Sequence, residues 1–102
     1  SDEINPEKIR YIIDTLHRLD VSSVQEFPAV PKNRKTYTER NSDTWFRENV
    51  MKTNISCYGI CSLFIDIIKD FYPDSKMGYL KDGMFAVLDD GDKVGIVMGA
   101  RI

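Results

Sequence analysis

MGYLKDGMFAVLDDGDKVGIVMGARI, residues 77–102, is the stretch whose reading decides the fold. Three short runs at 77–81, 84–89 and 93–98 are rich in apolar and β-forming residues, and Asp82-Gly83 and Asp90-Gly91 separate them. Asp-Gly readily supplies the two positive φ angles of a type I′ hairpin turn, so the segment predicts a three-stranded antiparallel meander. Gly95 and Gly99 add little side-chain packing to the last strand and predict a bulge or a close backbone approach there.

Upstream, residues 56–71 read as one widely apolar helix. Ile60, Leu63, Phe64, Ile65, Ile67, Ile68 and Phe71 leave a polar stripe of Ser56, Gly59, Ser62, Asp66, Lys69 and Asp70. A helix of this kind is expected to be buried on most of its circumference, and Pro73 marks its end. Asn5-Pro6 opens another helix over 6–19, with Ile9, Ile12, Ile13, Leu16 and Leu19 on one stripe. Ser22 with Gln25 and Ser23 with Glu26 are capping-box patterns that predict a short helix over 22–27. Asn41 or Ser42 caps a helix over 42–52 carrying Trp45 and Phe46, and a short strand is expected around 36–38. The expected fold is α+β, with three to four helices packed on one face of a three- to four-stranded antiparallel meander.

The 102 residues suit one domain, 1–102. Hydrophobic residues at 42% and charged residues at 29% exclude a disordered composition. A net charge of −2 provides no overall positive field for nucleic acid or an anionic membrane. Cys57 and Cys61, four apart on the expected helix, stand about 6 Å apart at Cβ, too far for a disulfide. With no disulfide framework and no apolar stretch long enough for a signal peptide or span, a cytoplasmic location and no membrane contact are expected.

Cys57 near a helix start is a candidate thiol nucleophile, because helix N–H groups and the macrodipole stabilise a thiolate. Ser56-Cys57-Tyr58-Gly59-Ile60-Cys61 followed by Gly83-Met84-Phe85-Ala86-Val87-Leu88 resembles the core of papain-like cysteine peptidases and transglutaminases. The resemblance covers about the last fifty residues and implies peptidase or acyl-transfer chemistry at Cys57 or Cys61. It also implies a histidine at the head of the neighbouring strand, and that position holds Met84, whose thioether cannot act as the base. His17, on the first helix, is the sole histidine available to complete such a site. Residues 85–99 resemble the early hairpin of acyl-CoA-dependent N-acetyltransferases, a family that binds pyrophosphate through a following glycine-rich turn. No such turn precedes Ile102.

No metal and no cofactor are expected. Zinc needs three or four clustered Cys and His ligands, and Asp82, Asp89, Asp90 and Asp92 lack the alternating pattern of a calcium loop. No phosphate-binding loop, dinucleotide fingerprint or nucleophile elbow occurs.

The remaining signal is the basic loop 32–40, in which Lys32, Arg34, Lys35 and Arg40 face one acid, Glu39, and surround Tyr37. Arg and Tyr are favoured at interfaces, and Pro28 and Pro31 reduce the entropy of holding the loop in one shape. These residues predict a non-catalytic protein-binding domain, a small intracellular adaptor or inhibitor, with Lys32, Arg34, Lys35, Tyr37 and Arg40 as the contact set. A homodimer through the edge of the last strand is a further expectation. The thiol enzyme using Cys57, Cys61 and His17 is the first alternative. Weak nucleic-acid binding through the loop is the second.

Overall fold

The computed structural model describes residues 4–102, so residues 1–3 of the expected single domain lie outside the described residues. The chain forms α1 (Pro6–Arg18), β1 (Ser23–Gln25), a 3-10 turn at Glu39–Asn41, α2 (Ser42–Asn49), β2 (Val50–Lys52), β3 (Tyr58–Cys61) and α3 (Ser62–Phe71). It continues through β4 (Lys76–Lys81), β5 (Met84–Asp89), β6 (Asp92–Met98) and β7 (Ala100–Arg101). The class is α+β: three helices, a four-stranded antiparallel sheet ordered β1-β4-β5-β6, and a three-stranded antiparallel sheet ordered β2-β3-β7.

The meander is present. Asp82 and Gly83 have φ of 50° and 80°, and Asp90 and Gly91 have 51° and 85°, the pair of positive angles that reverses the chain in two residues. Register then decides the core. Met77 pairs with Val87, Tyr79 with Phe85 and Phe85 with Val97, so the period-two alternation stacks these side chains on one face. Phe27, Ile60 and Ile65 close over that face, and Phe85, Ile60 and Met77 are fully buried.

The last strand divides between the two sheets at Gly99. Its N–H donates to the Gly83 carbonyl at 2.7 Å. A Cβ there would lie 3.0 Å from that same carbonyl oxygen and 3.1 Å from the Phe85 ring. The close approach expected at Gly99 is therefore real, and it lets β7 leave the first sheet to pair with β3.

Three expected helices are corrected. Residues 22–27 hold strand β1, because Ser22 gives both its N–H and its hydroxyl to the Tyr79 carbonyl, and Ser23, Val24 and Gln25 pair with β4. Tertiary pairing outweighs the local capping pattern here. The helix expected over 42–52 ends at Asn49, and Val50–Lys52 pairs with β3. The helix expected over 56–71 begins only at Ser62, with Tyr58–Cys61 serving as the middle strand of the second sheet. Gly59 fits that reading: a Cβ there would lie 2.5 Å from Val50 Cγ1 and 2.8 Å from the Met51 carbonyl oxygen. No strand forms at 36–38, where the chain leads into the 3-10 turn.

Two helices are less covered than their patterns predict. Asn5 caps α1 by accepting from the N–H groups of Glu7 and Lys8, yet no α1 residue is buried, and Ile9, Ile12 and Ile13 are exposed. Its C-terminal end is fixed instead by Lys93 of β6, whose ammonium donates to the carbonyls of Leu16, His17 and Leu19. A radius of gyration of 14.8 Å, against about 13 Å for a compact domain of this length, fits a helix standing off the body.

Helix α3 turns its polar residues inward. Ser62, Ile65, Asp66 and Lys69 follow the i, i+3, i+4, i+7 pattern of one helix face, and each meets the rest of the domain. Ser62 donates to Asn49 Oδ1 at 3.2 Å, Ile65 enters the core, and Asp66 pairs with Arg34. Lys69 donates to the carbonyls of Pro73 and Ser75 and stands 5.1 Å over the Phe27 ring. Leu63, Phe64, Ile67 and Phe71 consequently face solvent, which corrects the expectation of a helix buried on most sides.

Candidate interaction surface

The loop between β1 and α2 contains all five basic and aromatic candidates, and its order comes from Trp45. That indole is 4% exposed, held on α2 with its Nε1–H donating to the Lys35 carbonyl at 2.7 Å. Tyr37 meets the indole edge-on, with centroids 5.3 Å apart and ring planes at 82°. The loop's exit is closed by Asn41, whose Oδ1 accepts from the Thr38 N–H at 2.7 Å and from its hydroxyl at 2.9 Å. Asn41 Nδ2 donates back to the Thr36 carbonyl at 3.3 Å. The loop's entry is tied by the Arg34 guanidinium, which donates to the Asp66 carboxylate on α3.

The five candidates therefore divide by role. Arg34 is half-buried and committed to Asp66, so it positions the loop and does not offer its charge outward. Lys32, Lys35, Tyr37 and Arg40 are exposed, and none of the three cations forms an ion pair among the described residues. Lys32, Lys35 and Tyr37 border a shallow depression of about 430 Å³ that Trp45 and Leu63 also line. Arg34 and Thr36 also line this hollow, so it is of mixed polar and apolar character, and the exposed Lys32 and Lys35 at its border favour an anionic side chain. Trp45 as the anchor, Asn41 as the clasp and the exposed face of α3 are the parts that the sequence reading misses. The single Trp of the chain, shortly after a Pro-flanked basic run, is the available signal for the first.

The thiol candidates are not brought together. Cys57 precedes β3 and is half-buried, and its carbonyl accepts from the Ile102 N–H at 3.0 Å. Cys61, not Cys57, stands at the N-cap of α3, but its side chain makes no capping bond and the residue is 6% exposed. His17 lies beside Lys93, Val94 and Ile96, along the first part and the middle of β6. Gly99, beyond the end of β6, is the point that approaches β3. His17 thus lies against β6 of the first sheet, whereas Cys57 precedes and Cys61 ends β3 of the second sheet. Met84 pairs with Met98 in the first sheet.

Among the described residues, no three or more His, Cys, Asp or Glu side chains gather closely enough to hold a metal ion, and the acidic turns at Asp82, Asp89, Asp90 and Asp92 form no such group. No helix among them is long and apolar enough to cross a membrane. No family model, curated protein or solved structure matches this chain.

Proposed function

We propose that this chain is a non-catalytic protein-binding domain, an adaptor or inhibitor, that presents Lys32, Lys35, Tyr37 and Arg40 to an acidic partner surface. One observation carries the reading: the loop is pinned at three points, by Asp66, Trp45 and Asn41, while its remaining cations face outward. Pinning lowers the ordering entropy that binding would otherwise cost, and Tyr37 supplies a rigid aromatic contact. The cytoplasmic location expected from cysteine usage is part of the same proposal.

The test is site-specific photo-cross-linking from position 36 in the native host, in the wild type and in a Lys35→Glu/Arg40→Glu variant. These two side chains are exposed, so the charge reversal leaves the fold intact. The expected result is an adduct with a second protein in the wild type that is lost in the variant. Adducts to nucleic acid alone, with affinity falling steeply as salt rises, would replace this reading with the nucleic-acid one. Adducts unchanged by the charge reversal would remove the loop from consideration.

A further inference from the structure

We infer that the exposed face of α3 is a two-fold, antiparallel self-association interface, so that the partner covering Leu63, Phe64, Ile67 and Phe71 is a second copy of this chain. The starting point is the inverted helix. All the polar side chains of α3 except Asp70 are engaged inward or at the domain's own loops, and four large apolar side chains are left 43–76% exposed. Leu63, Ile67 and Phe71 lie at i, i+4 and i+8, a stripe about 12 Å long centred on Ile67, with Phe64 beside it.

Charge along that stripe is arranged for its own inverse. At the Leu63 end stand Lys32 and Lys35, which border the same depression as Leu63. Towards the Phe71 end stands Asp70, exposed and adjacent to Ile67 and Phe71 on the helix. A two-fold axis through Ile67 runs the two helices antiparallel and sets Leu63 of each copy against Phe71 of the other. Each pair of lysines then meets an Asp70 and the negative C-terminal end of the facing helix, twice over by symmetry. A parallel arrangement would oppose lysine to lysine and aspartate to aspartate. Helix α1 of a second copy is a poorer occupant, because Lys8 and Arg10 flank its apolar stripe and would face the basic loop.

The area available sets the size class. Taking about 200 Å² for a fully exposed large side chain, the four residues offer roughly 400 Å² per copy. Stable complexes bury about 800 Å² per partner, so the loop and helix rims must supply the rest, and the association belongs at the weak end. Area alone does not fix affinity, but an interface at the small end is expected to bind in the micromolar range or weaker.

The experiment is sedimentation equilibrium of the purified chain from about 5 μM to 1 mM, a range spanning that expectation. The wild type should pass from monomer to dimer. Ile67→Glu, which opposes two carboxylates at the axis, should stay monomeric throughout, with its circular dichroism unchanged because Ile67 is 56% exposed. Asp70→Lys should weaken the dimer at least tenfold, and combining it with Lys32→Glu/Lys35→Glu should restore the dimer by exchanging the charges. A wild type that is monomeric at 1 mM overturns the inference, as does a dimer indifferent to Ile67→Glu, the result expected of pairing through the outer edge of β6. The dimer engages Lys32 and Lys35 as well, so Ile67→Glu separates the two readings: it removes the dimer and leaves a loop cross-link to a host protein in place.

Discussion

Trp45→Phe tests the pinning of the loop directly. The substitution keeps an aromatic ring for Tyr37 to meet, and it leaves the Trp45 backbone carbonyl to accept from Asn49 Nδ2 at 2.8 Å. What it removes is the Nε1–H that donates to Lys35, together with part of a ring that is 4% exposed. Loss of one partly buried hydrogen bond costs about 1 kcal/mol. Removing roughly 50 Å² of buried apolar surface, at about 25 cal/mol per Å², costs about 1 kcal/mol more, and imperfect closure of the gap adds to it. The expected loss is about 2–3 kcal/mol, which lowers the melting temperature of a domain this size by roughly 8–20 °C. Urea unfolding followed by far-UV circular dichroism measures it. Amide exchange supplies the local readout: the Thr38 N–H, bonded to Asn41 Oδ1, should exchange faster once the loop is released. A loss under about 0.5 kcal/mol with unchanged exchange at Thr38 would refute the claim that the indole organises the loop, since that is the scale of an ordinary surface change.

The two hairpin glycines should separate two effects by thermal unfolding. A Cβ at Gly91 meets nothing within 4 Å, so Gly91→Ala isolates the positive-φ penalty of about 1–2 kcal/mol. Gly83→Ala adds contact at 2.7 Å with the Tyr58 ring and should cost clearly more, so equal losses would contradict the packing described. Gly59→Ala, which forces a Cβ against the Met51 carbonyl in the middle of the second sheet, should be worse than Gly91→Ala, and a well-folded variant of wild-type stability would place β3 elsewhere. Under native conditions a thiol reagent should label Cys57 well before Cys61, which is 6% exposed. Equal rates without denaturant would reopen Cys61 as an accessible nucleophile.

What was legible in the sequence was what local chemistry determines. Asp82-Gly83 and Asp90-Gly91 specify their turns without help from the rest of the chain, and Asn5-Pro6 specifies the start of α1. Residues 22–27 mislead because a serine followed three residues later by Gln or Glu is a helix signal only if nothing stronger competes, and the Tyr79 carbonyl does compete. Tyr58–Cys61 reads as part of the helix because a short apolar run is the same pattern in a buried strand and a buried helix. Gly59 was the discordant residue, costly inside a helix and required beside Met51. In the candidate surface, the basic loop was legible from composition. The role of Arg34 was not, since only the fold brings it to Asp66, and residue type alone does not distinguish a positioning cation from an outward-facing one.

The crossing at Gly99 also bears on the order in which the domain assembles. The hairpins β4–β5 and β5–β6 close over two-residue turns, a search that is short and fast. Strand β7 must find β3, paired through Tyr58 with Arg101 and Gly59 with Ala100 across nearly half the chain, and that closure carries a larger entropy cost. The meander should therefore be structured in the folding transition state while β7 docks late onto the local β2–β3 hairpin. Mutations at Phe85 would then slow folding, whereas those around β7 would chiefly speed unfolding. The second sheet also carries the Asn49–Ser62 end of the α2–α3 junction on its flank. Late docking of β7 would thus make the β3 edge beside that junction the last part of the domain to reach its final shape.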